Sequence, residues 1–576
     1  MNKTNHPDTS TRQKKPPVGE KILLVLLPFW DPLIPPMGIS CLHSFLKKHG
    51  FNVKKVDANV EELFTGIHDR YCETLKQYIP ENRRSNFYNI GKEVLRNHMI
   101  AHINHSDERA YIDLVKLLVF KTFFCKIDDN QVSRLSKLLD EFYAHLKVIF
   151  LKLLEEEKPD VLGISVFKGT FPSSLYAFKL TKENYPQIKT VMGGGIFADQ
   201  LEPGCPDWEM FLEKTPFIDK FIIGEGELLF LKYLRGELPE SQRIYTLNDI
   251  DGKTLDISSA GIPDFSGFDL QYYPSLSAYT SRSCPFQCNF CSETVRWGRY
   301  RKKSATQVAA ELMELYKMYG YRLFLMSDSL LNPTINALAD ELLNANVSLY
   351  WDGYLRVDKH TCDPQTTLQW RRGGFYRARL GVESGSPRLL ELMNKKVTTE
   401  QIKKAVQNLG NVGIKTTTYW IIGYPGETEE DFQQTLDLIE ELKNDIYEAE
   451  FNTFRYYVTG QVNSDHWTGK SILLYPETAV DMLLLPTRIL DIPPSRKETY
   501  DRLNRVCEHC SQLQIPNPYS LQDIYKADKR WETLHKNAVP SLLKLKDTYN
   551  VIDECKHVKN LFTAKDTQKV EGDWGF

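Results

Sequence analysis

Ser281-Arg-Ser-Cys284-Pro-Phe-Gln-Cys288-Asn-Phe-Cys291 is the stretch on which the reading of this chain turns. Its three cysteines are spaced C-x3-C-x2-C. Three thiolates so close in sequence can hold three irons of a four-iron cluster and leave the fourth iron open to another ligand. Structural iron–sulfur and zinc sites usually close every position with protein ligands, so an open position signals chemistry at the metal. Two plainer readings stand beside this one. A zinc knuckle needs a fourth ligand, whereas the flanking cysteines are Cys205 and Cys362 and the loop holds no His. The other is three unligated thiols.

Outward from the loop the chain alternates regularly. A helix over 305–319 stops at Gly320, and a strand covers 322–326. A helix starts at Pro333, and strands follow over 349–357 and 376–382. Helices begin at Ser386 and Thr398, and a strand over 415–422 leads to a helix over 427–443. Successive βα units over 276–450 predict a partial (β/α)6 barrel of TIM type, with its working face at the carboxyl ends of the strands. Residues 451–576 lose the alternation and read as a mostly helical C-terminal extension over the barrel mouth.

Before the loop, 21–27 reads as a buried strand, 28–38 as a Pro-rich turn and 39–49 as a helix ending at Gly50. Residues 52–57 and 160–165 are further strands, separated by a helical insertion over 61–157. Strands at 190–195 and 221–224 complete an α/β, doubly wound parallel sheet over 20–245. Ligands of such sheets sit at the carboxyl ends of strands, where the Gly-rich turns of this chain fall. A polar linker over 246–275 joins it to the barrel. Residues 1–19 read as a disordered tail without an apolar core, not a signal peptide.

The 576 residues are 42% hydrophobic and 26% charged with a net charge of −3. That balance excludes a basic nucleic-acid footprint, and no apolar run reaches the length of a membrane span. Eleven scattered cysteines fit reduced thiols, so the expected location is cytoplasmic.

The cysteine loop resembles the signature of the radical S-adenosylmethionine (SAM) superfamily. The resemblance implies that Cys284, Cys288 and Cys291 hold a 4Fe-4S cluster whose open iron chelates SAM. It implies SAM contacts at five further places. Phe290 matches the aromatic position whose backbone meets adenine. Ser327 and Asp328 end the strand where the family's Gly-Gly-Glu motif sits, although the glycines are absent. Arg356 fits a carboxylate partner, since a guanidinium binds one in bidentate fashion. Glu383 and Ser384 suit the ribose hydroxyls or the amino group, and Gly423 and Pro425 lie against adenine. Each also reads as an ordinary strand-end turn or N-cap. Their order after the cysteines is what supports them together.

The first half resembles the cobalamin-binding domain that precedes the barrel in one radical SAM subfamily. Pro36 and Gly38 match its Pro-Pro-x-Gly turn. Ser165 precedes the pair Gly193-Gly194, which begins 28 positions on, as in its Ser…Gly-Gly pattern. Gly224, Glu225 and Gly226 match its Gly-Glu-Gly-Glu turn. The loop after the first strand lacks the Asp-x-His-x-x-Gly motif that places a His below cobalt, and His43 reads as a structural side chain. A flavodoxin-like domain with another ligand, or none, is the plain alternative.

The resemblance thus implies a cobalamin-dependent radical SAM enzyme. Its expected reaction is methyl transfer to an unactivated carbon, or to phosphorus, by way of a 5′-deoxyadenosyl radical and methylcobalamin. The expected cofactors are the cluster, SAM and cobalamin. The expected partners are a small-molecule or peptide substrate and an electron donor such as flavodoxin or ferredoxin. Rival readings are a cyclase, oxidase or rearrangement enzyme with the same cofactors, a methylthiotransferase, and a non-catalytic corrinoid or iron–sulfur binding protein. No catalytic acid or base is assigned. The aromatic segment 451–461 suits a substrate pocket with Arg455 facing an acidic group, or a last buried strand. Cys507 and Cys510 share one helix face. With Cys555 they suit a second metal site, or they are ordinary thiols.

Overall fold

Strand β1 (Lys21–Leu26) is apolar on both faces because both faces are covered. Ile22, Leu24 and Leu26 pack with Phe45, Leu46 and Phe230 on one side. Leu23 and Val25 join Leu162, Ile164 and Phe171 on the other. The computed structural model describes residues 20–538, apart from 31–33, 199–200, 346 and 518–520. The expected tail over 1–19, the end of the C-terminal extension and Cys555 lie outside the described residues.

Around β1 run β2 (Asn52–Asp57), β3 (Val161–Ser165), β4 (Lys189–Gly193), β5 (Lys220–Ile222) and β6 (Ile244–Tyr245). The order is β2-β1-β3-β4-β5-β6, all parallel. The strand order reverses between β1 and β3, so the crevice for a ligand opens at their carboxyl ends. Helices Glu62–Tyr78, Phe87–Asn104, Glu108–Phe123 and Asp129–Glu157 fill the stretch between β2 and β3. The last begins with a capping box between Asp128 and Gln131. These helices also reach the far half of the chain, where Asn86 and Asn89 donate to the Phe451 carbonyl at 3.2 and 3.1 Å. His43 has a structural partner, Asp264, 3.0 Å from Nδ1.

The second sheet is a partial barrel of six parallel strands in chain order. They are β7 (Leu276–Ala278), β10 (Leu323–Met326), β11 (Tyr350–Arg356), β12 (Phe375–Glu383), β13 (Lys415–Ile422) and β14 (Glu448–Thr453). Between β7 and β10 a small antiparallel ribbon, β8 (Ser281–Arg282) and β9 (Arg301–Lys302), brackets the cysteine loop. Strand β14 straddles residue 450, so the sixth barrel strand includes the first residues read as extension. Helix Pro364–Arg372, which Asp363 and Gly373 cap but whose sequence shows no clear apolar period, crosses from β11 to β12 and buries Leu368 and Trp370. It is short and polar, which hides its period. Beyond β14 come β15 (Ser471–Leu473), β16 (Arg488–Leu490) and helices Arg496–Gln512 and Leu521–Leu534. Among the described residues no helix is long and apolar enough to cross a membrane.

Candidate active site

The cysteine loop leaves the barrel at the end of β7 and is fixed by its neighbours. Asp328, just past β10, accepts from the Thr280 amide at 2.9 Å and from the Thr280 and Ser281 hydroxyls at 2.6 Å each. Burial raises the Asp328 carboxyl above its usual range, against these donors. Through these bonds the Asp328 side chain anchors the loop, and the neighbouring Ser327 hydroxyl is buried without a hydrogen-bond partner.

Arg356 ends β11 and turns to the cysteines. Its Nη1 lies 3.3 Å from Cys288 Sγ, and its guanidinium stacks 4.2 Å from the Phe286 ring centroid. Its Nη2 is buried without a hydrogen-bond partner. Burial pushes the Cys291 thiol up to about 12 and raises that of Cys284 as well, with Arg356 and Lys395 opposing at Cys284. Among the described residues no three His, Cys, Asp or Glu side chains converge as a site for one ion. A cluster asks for something else: three thiolates spread over three irons. The loop's donor set, its proximity to Arg356 and the two orphaned groups, Ser327 Oγ and Arg356 Nη2, fit a 4Fe-4S cluster with a carboxylate- and amine-bearing ligand.

Two residues at this site carry no sequence motif. Gln461 donates from Nε2 to the Phe290 carbonyl at 2.9 Å and to the Arg455 carbonyl at 2.8 Å. The Val462 and Asn463 amides donate to the Cys291 and Asn289 carbonyls. The C-terminal segment thus clamps the cysteine loop, and one lone pair of the Phe290 carbonyl is already used. Lys395 is buried and pairs with Glu383 Oε1 at 2.5 Å. It also sits 5.8 Å from the Phe290 ring centroid. Only its place near Asn394 and Lys396, both at positive φ, sets it apart in the chain. Ser384 points elsewhere, toward Thr435 and the Ser386 amide, 3.3 and 3.0 Å from its hydroxyl.

Gly423, after β13, has φ +75°, and a Cβ there would meet the Thr499 side chain at 2.3 Å. Helix Arg496–Gln512 therefore packs directly on this turn. Glu427 closes the turn, accepting from the Gly423 amide at 3.0 Å and from Arg502 Nη1 at 2.9 Å. Burial nevertheless lifts its carboxyl to about 7, with Arg502 opposing.

On the other sheet, the crevice between β1 and β3 brings several expected residues together. A Cβ on Gly38 would come 4.0 Å from Ser165 Oγ. Gly193 pairs with Ser165 in register. Gly194 has φ +108°, and a Cβ would strike the Val166 backbone at 2.5 Å, so only glycine fits. Pro36 precedes helix Met37–Lys48 and accepts from the Ser40 hydroxyl at 2.7 Å. Trp30 packs on Phe167 with ring centroids 4.3 Å apart and planes tilted by 43°, and its Nε1 is buried and unpartnered. A glycine cradle with an orphaned donor, Trp30 Nε1, fits a corrinoid and its tail.

The Gly224–Gly226 turn does something further. Gly226 opens helix Gly226–Leu234, and a Cβ there would meet nothing within 4 Å. Glu225 is 2.9 Å from Arg282 and also pairs with Arg301, while Glu227 is 2.5 Å from Arg282. Both arginines lie on the β8–β9 ribbon around the cysteines. The structure commits the Glu225 carboxylate to them, which leaves the backbone of this turn for a ligand. Elsewhere, Cys507 and Cys510 are buried on helix Arg496–Gln512, and Cys507 Sγ accepts from Asn517 at 3.5 Å.

Residues 279–439 match the family model of the radical SAM superfamily. Over 317 residues the chain is 25% identical to the anaerobic magnesium-protoporphyrin IX monomethyl ester cyclase of Rubrivivax gelatinosus, covering 50% of this chain and 55% of the relative. Over 322 residues it is 27% identical to an uncharacterized methyltransferase of Pyrococcus horikoshii, covering 52% and 68%. The chain thus spans between half and about two thirds of the length of these curated relatives. The fold matches that of TsrM from Kitasatospora setae, a radical SAM methyltransferase solved with tryptophan substrate and a SAM analogue bound. The TM-score is 0.59 at 14% identity, over 94% of this chain and all of the other. The same enzyme solved with cobalamin and a 4Fe-4S cluster gives 0.55.

Proposed function

We propose that this chain, a member of the radical SAM superfamily, is a cobalamin-dependent radical SAM enzyme that transfers a methyl group to an unactivated carbon or to phosphorus. One observation carries the reading: Arg356 reaches Cys288 Sγ with Nη1 while its Nη2 is buried and unsatisfied. A guanidinium so placed is a ready partner for a carboxylate held at an open iron beside Cys284, Cys288 and Cys291.

In this reading Arg356 and Ser327 bind the amino-acid end of SAM. Glu383, oriented by Lys395, takes its hydroxyls or amine, and Phe290, Gly423 and Pro425 line the adenine. Asp328 positions the loop. Gly38, Ser165, Gly193 and Gly194 cradle the corrinoid, with the backbone of the Gly224–Gly226 turn beside it. When bound, the cluster supplies the electron that cleaves SAM, and the corrinoid supplies the methyl group. The protein's part is to hold both and to exclude water and side reactions. The electron donor is of the flavodoxin or ferredoxin kind, and the substrate is a small molecule or a peptide.

The names of the Pyrococcus relative and of TsrM support the methyltransferase reading. The Rubrivivax relative favours a second one, in which the same cofactors drive cyclization with no methyl transfer. Methyl-labelled SAM separates them. Anaerobically reconstituted protein given substrate and reductant should put label into product. If 5′-deoxyadenosine forms with substrate consumed and no label transferred, the second reading holds.

A further inference from the structure

Between the two expected cofactor regions lies a cavity of about 100 Å³. Gly423 and Pro425 form one side of it, and Lys168, three residues past Ser165, another. Helix Phe87–Asn104 and the segment after β14 close the rest. Among the described residues its charged lining is lopsided: Arg96, Lys168, Arg455, Arg488 and Arg496 face Glu93 alone. Asp207 stands outside the lining and pairs with Arg488 at 3.3 Å.

The cations are held rather than loosely gathered. Arg496 donates from Nε to the Lys121 carbonyl at 2.8 Å and lies 4.6 Å from the Tyr500 ring centroid. Lys168 donates to the Tyr457 hydroxyl at 3.0 Å. Several polar atoms of the lining are nonetheless buried without a hydrogen-bond partner: Arg496 Nη2, Arg488 Nε and Tyr456 Oη. Buried polar groups are normally paired, and an unpaired guanidinium nitrogen beside like charges is costly unless a ligand completes it. The electrostatics agree. Burial works against the Glu93 charge, yet Arg496, Arg455, Arg96 and Lys168 hold its carboxyl below the usual range. Burial and the like charge of Arg455 draw Arg96 below an ordinary guanidinium.

We propose that this cavity binds the acid group of the substrate, a carboxylate, phosphate or phosphonate, with Arg96 and Arg496 as its principal donors. Arg455 and Lys168 stand at its edges, and Tyr456 and Tyr500 flank the part of the substrate next to the acid. Glu93 competes with the ligand for the same cations and keeps them in place when the cavity is empty. As a substrate pocket the site rests on the radical SAM reading. As an anion site it stands on its own lining.

The test is isothermal titration of the full chain with inorganic phosphate and, separately, with acetate, at constant ionic strength and without SAM or reductant. The wild type should bind phosphate saturably. Arg96→Gln and Arg496→Gln should each weaken binding about tenfold, the usual scale for one charge-assisted hydrogen bond. Glu93→Gln should tighten it, and this variant keeps the test decisive if an arginine variant does not fold. Binding of phosphate alone assigns a phosphate or phosphonate substrate, and binding of acetate as well admits a carboxylate. No saturable binding of either anion, or variants that bind like wild type, overturns the proposal. The triple variant Cys284→Ala/Cys288→Ala/Cys291→Ala, which tests the radical reading, should bind phosphate as wild type does, so the two ideas fail separately.

Discussion

Glu225 and Arg282 meet 2.9 Å apart across the junction of the two sheets, both nearly buried. Arg282 stands two residues before Cys284, so the turn that ends β5 grips the root of the cysteine loop. Glu227 and Arg301 extend the grip. The first sheet therefore sets the orientation of the loop as well as forming its own crevice.

Breaking that junction should be costly. Glu225→Gln leaves two guanidinium groups without their shared charge in a buried place, and losing one partner of a buried ion pair costs about 3–5 kcal/mol. Denaturant unfolding of the variant should show a loss on that scale, with poorer retention of a reconstituted cluster. A loss below about 1 kcal/mol would mean that the pair is dispensable, as exposed pairs are.

Arg356→Lys keeps the charge but loses the fork. Affinity for SAM on the reconstituted protein should fall at least about tenfold, since a bidentate charged contact becomes a single one. The cluster's visible absorption should remain. Equilibrium dialysis with labelled SAM reads the effect, and unchanged affinity would remove Arg356 from the binding site.

Gly423→Ala should destabilize the fold by about 2 kcal/mol or more, because the new methyl meets Thr499 at 2.3 Å and φ is +75°. In a Thr499→Ala background the cost should shrink, though not to the backbone strain alone, because the Thr499 Cβ that remains stands 2.8 Å from the new methyl. Equal costs in both backgrounds would show that the helix yields to the methyl.

Glu427 makes stability fall with rising pH. Its folded-state carboxyl titrates near 7, raised from 4.5 by burial and opposed by Arg502. Between those values the folded chain holds a proton that the unfolded chain has released. The group's contribution is therefore complete below the unfolded value and is lost as pH climbs through the folded one. Melting curves from pH 5 to pH 8 should show this decline in the wild type and a flatter profile in Glu427→Gln. A parallel decline in both would assign it elsewhere.

Much of this architecture was legible in the chain, because period-2 and period-3.6 patterns and Gly punctuation report local geometry directly. The β1 run, the stop at Gly320 and the N-caps at Ser386 and Thr398 all read from neighbours in sequence. Strand Ile244–Tyr245 and helix Pro364–Arg372 did not, being too short or too polar for a period to show. At the site, the cysteines and Arg356 announced themselves by spacing and by place on a strand. Gln461 and Lys395 act through contacts 171 and 12 residues away, to Phe290 and Glu383, and a single sequence carries no trace of such pairing. Glu225 and Asp328, which the motifs suggest for the corrinoid and for SAM, turn their carboxylates to protein partners instead. Their partners, Arg282 and Thr280, follow from the packing of one sheet against the other and of one strand end against the next.

The most direct test of the central claim is SAM cleavage by anaerobically reconstituted protein under a strong reductant, with 5′-deoxyadenosine as the readout. The wild type should form it. The variant Cys284→Ala/Cys288→Ala/Cys291→Ala should form none, while still binding corrinoid as the wild type does. Cleavage of SAM by the triple variant at the wild-type rate would contradict the assignment of these cysteines and the radical chemistry built on them.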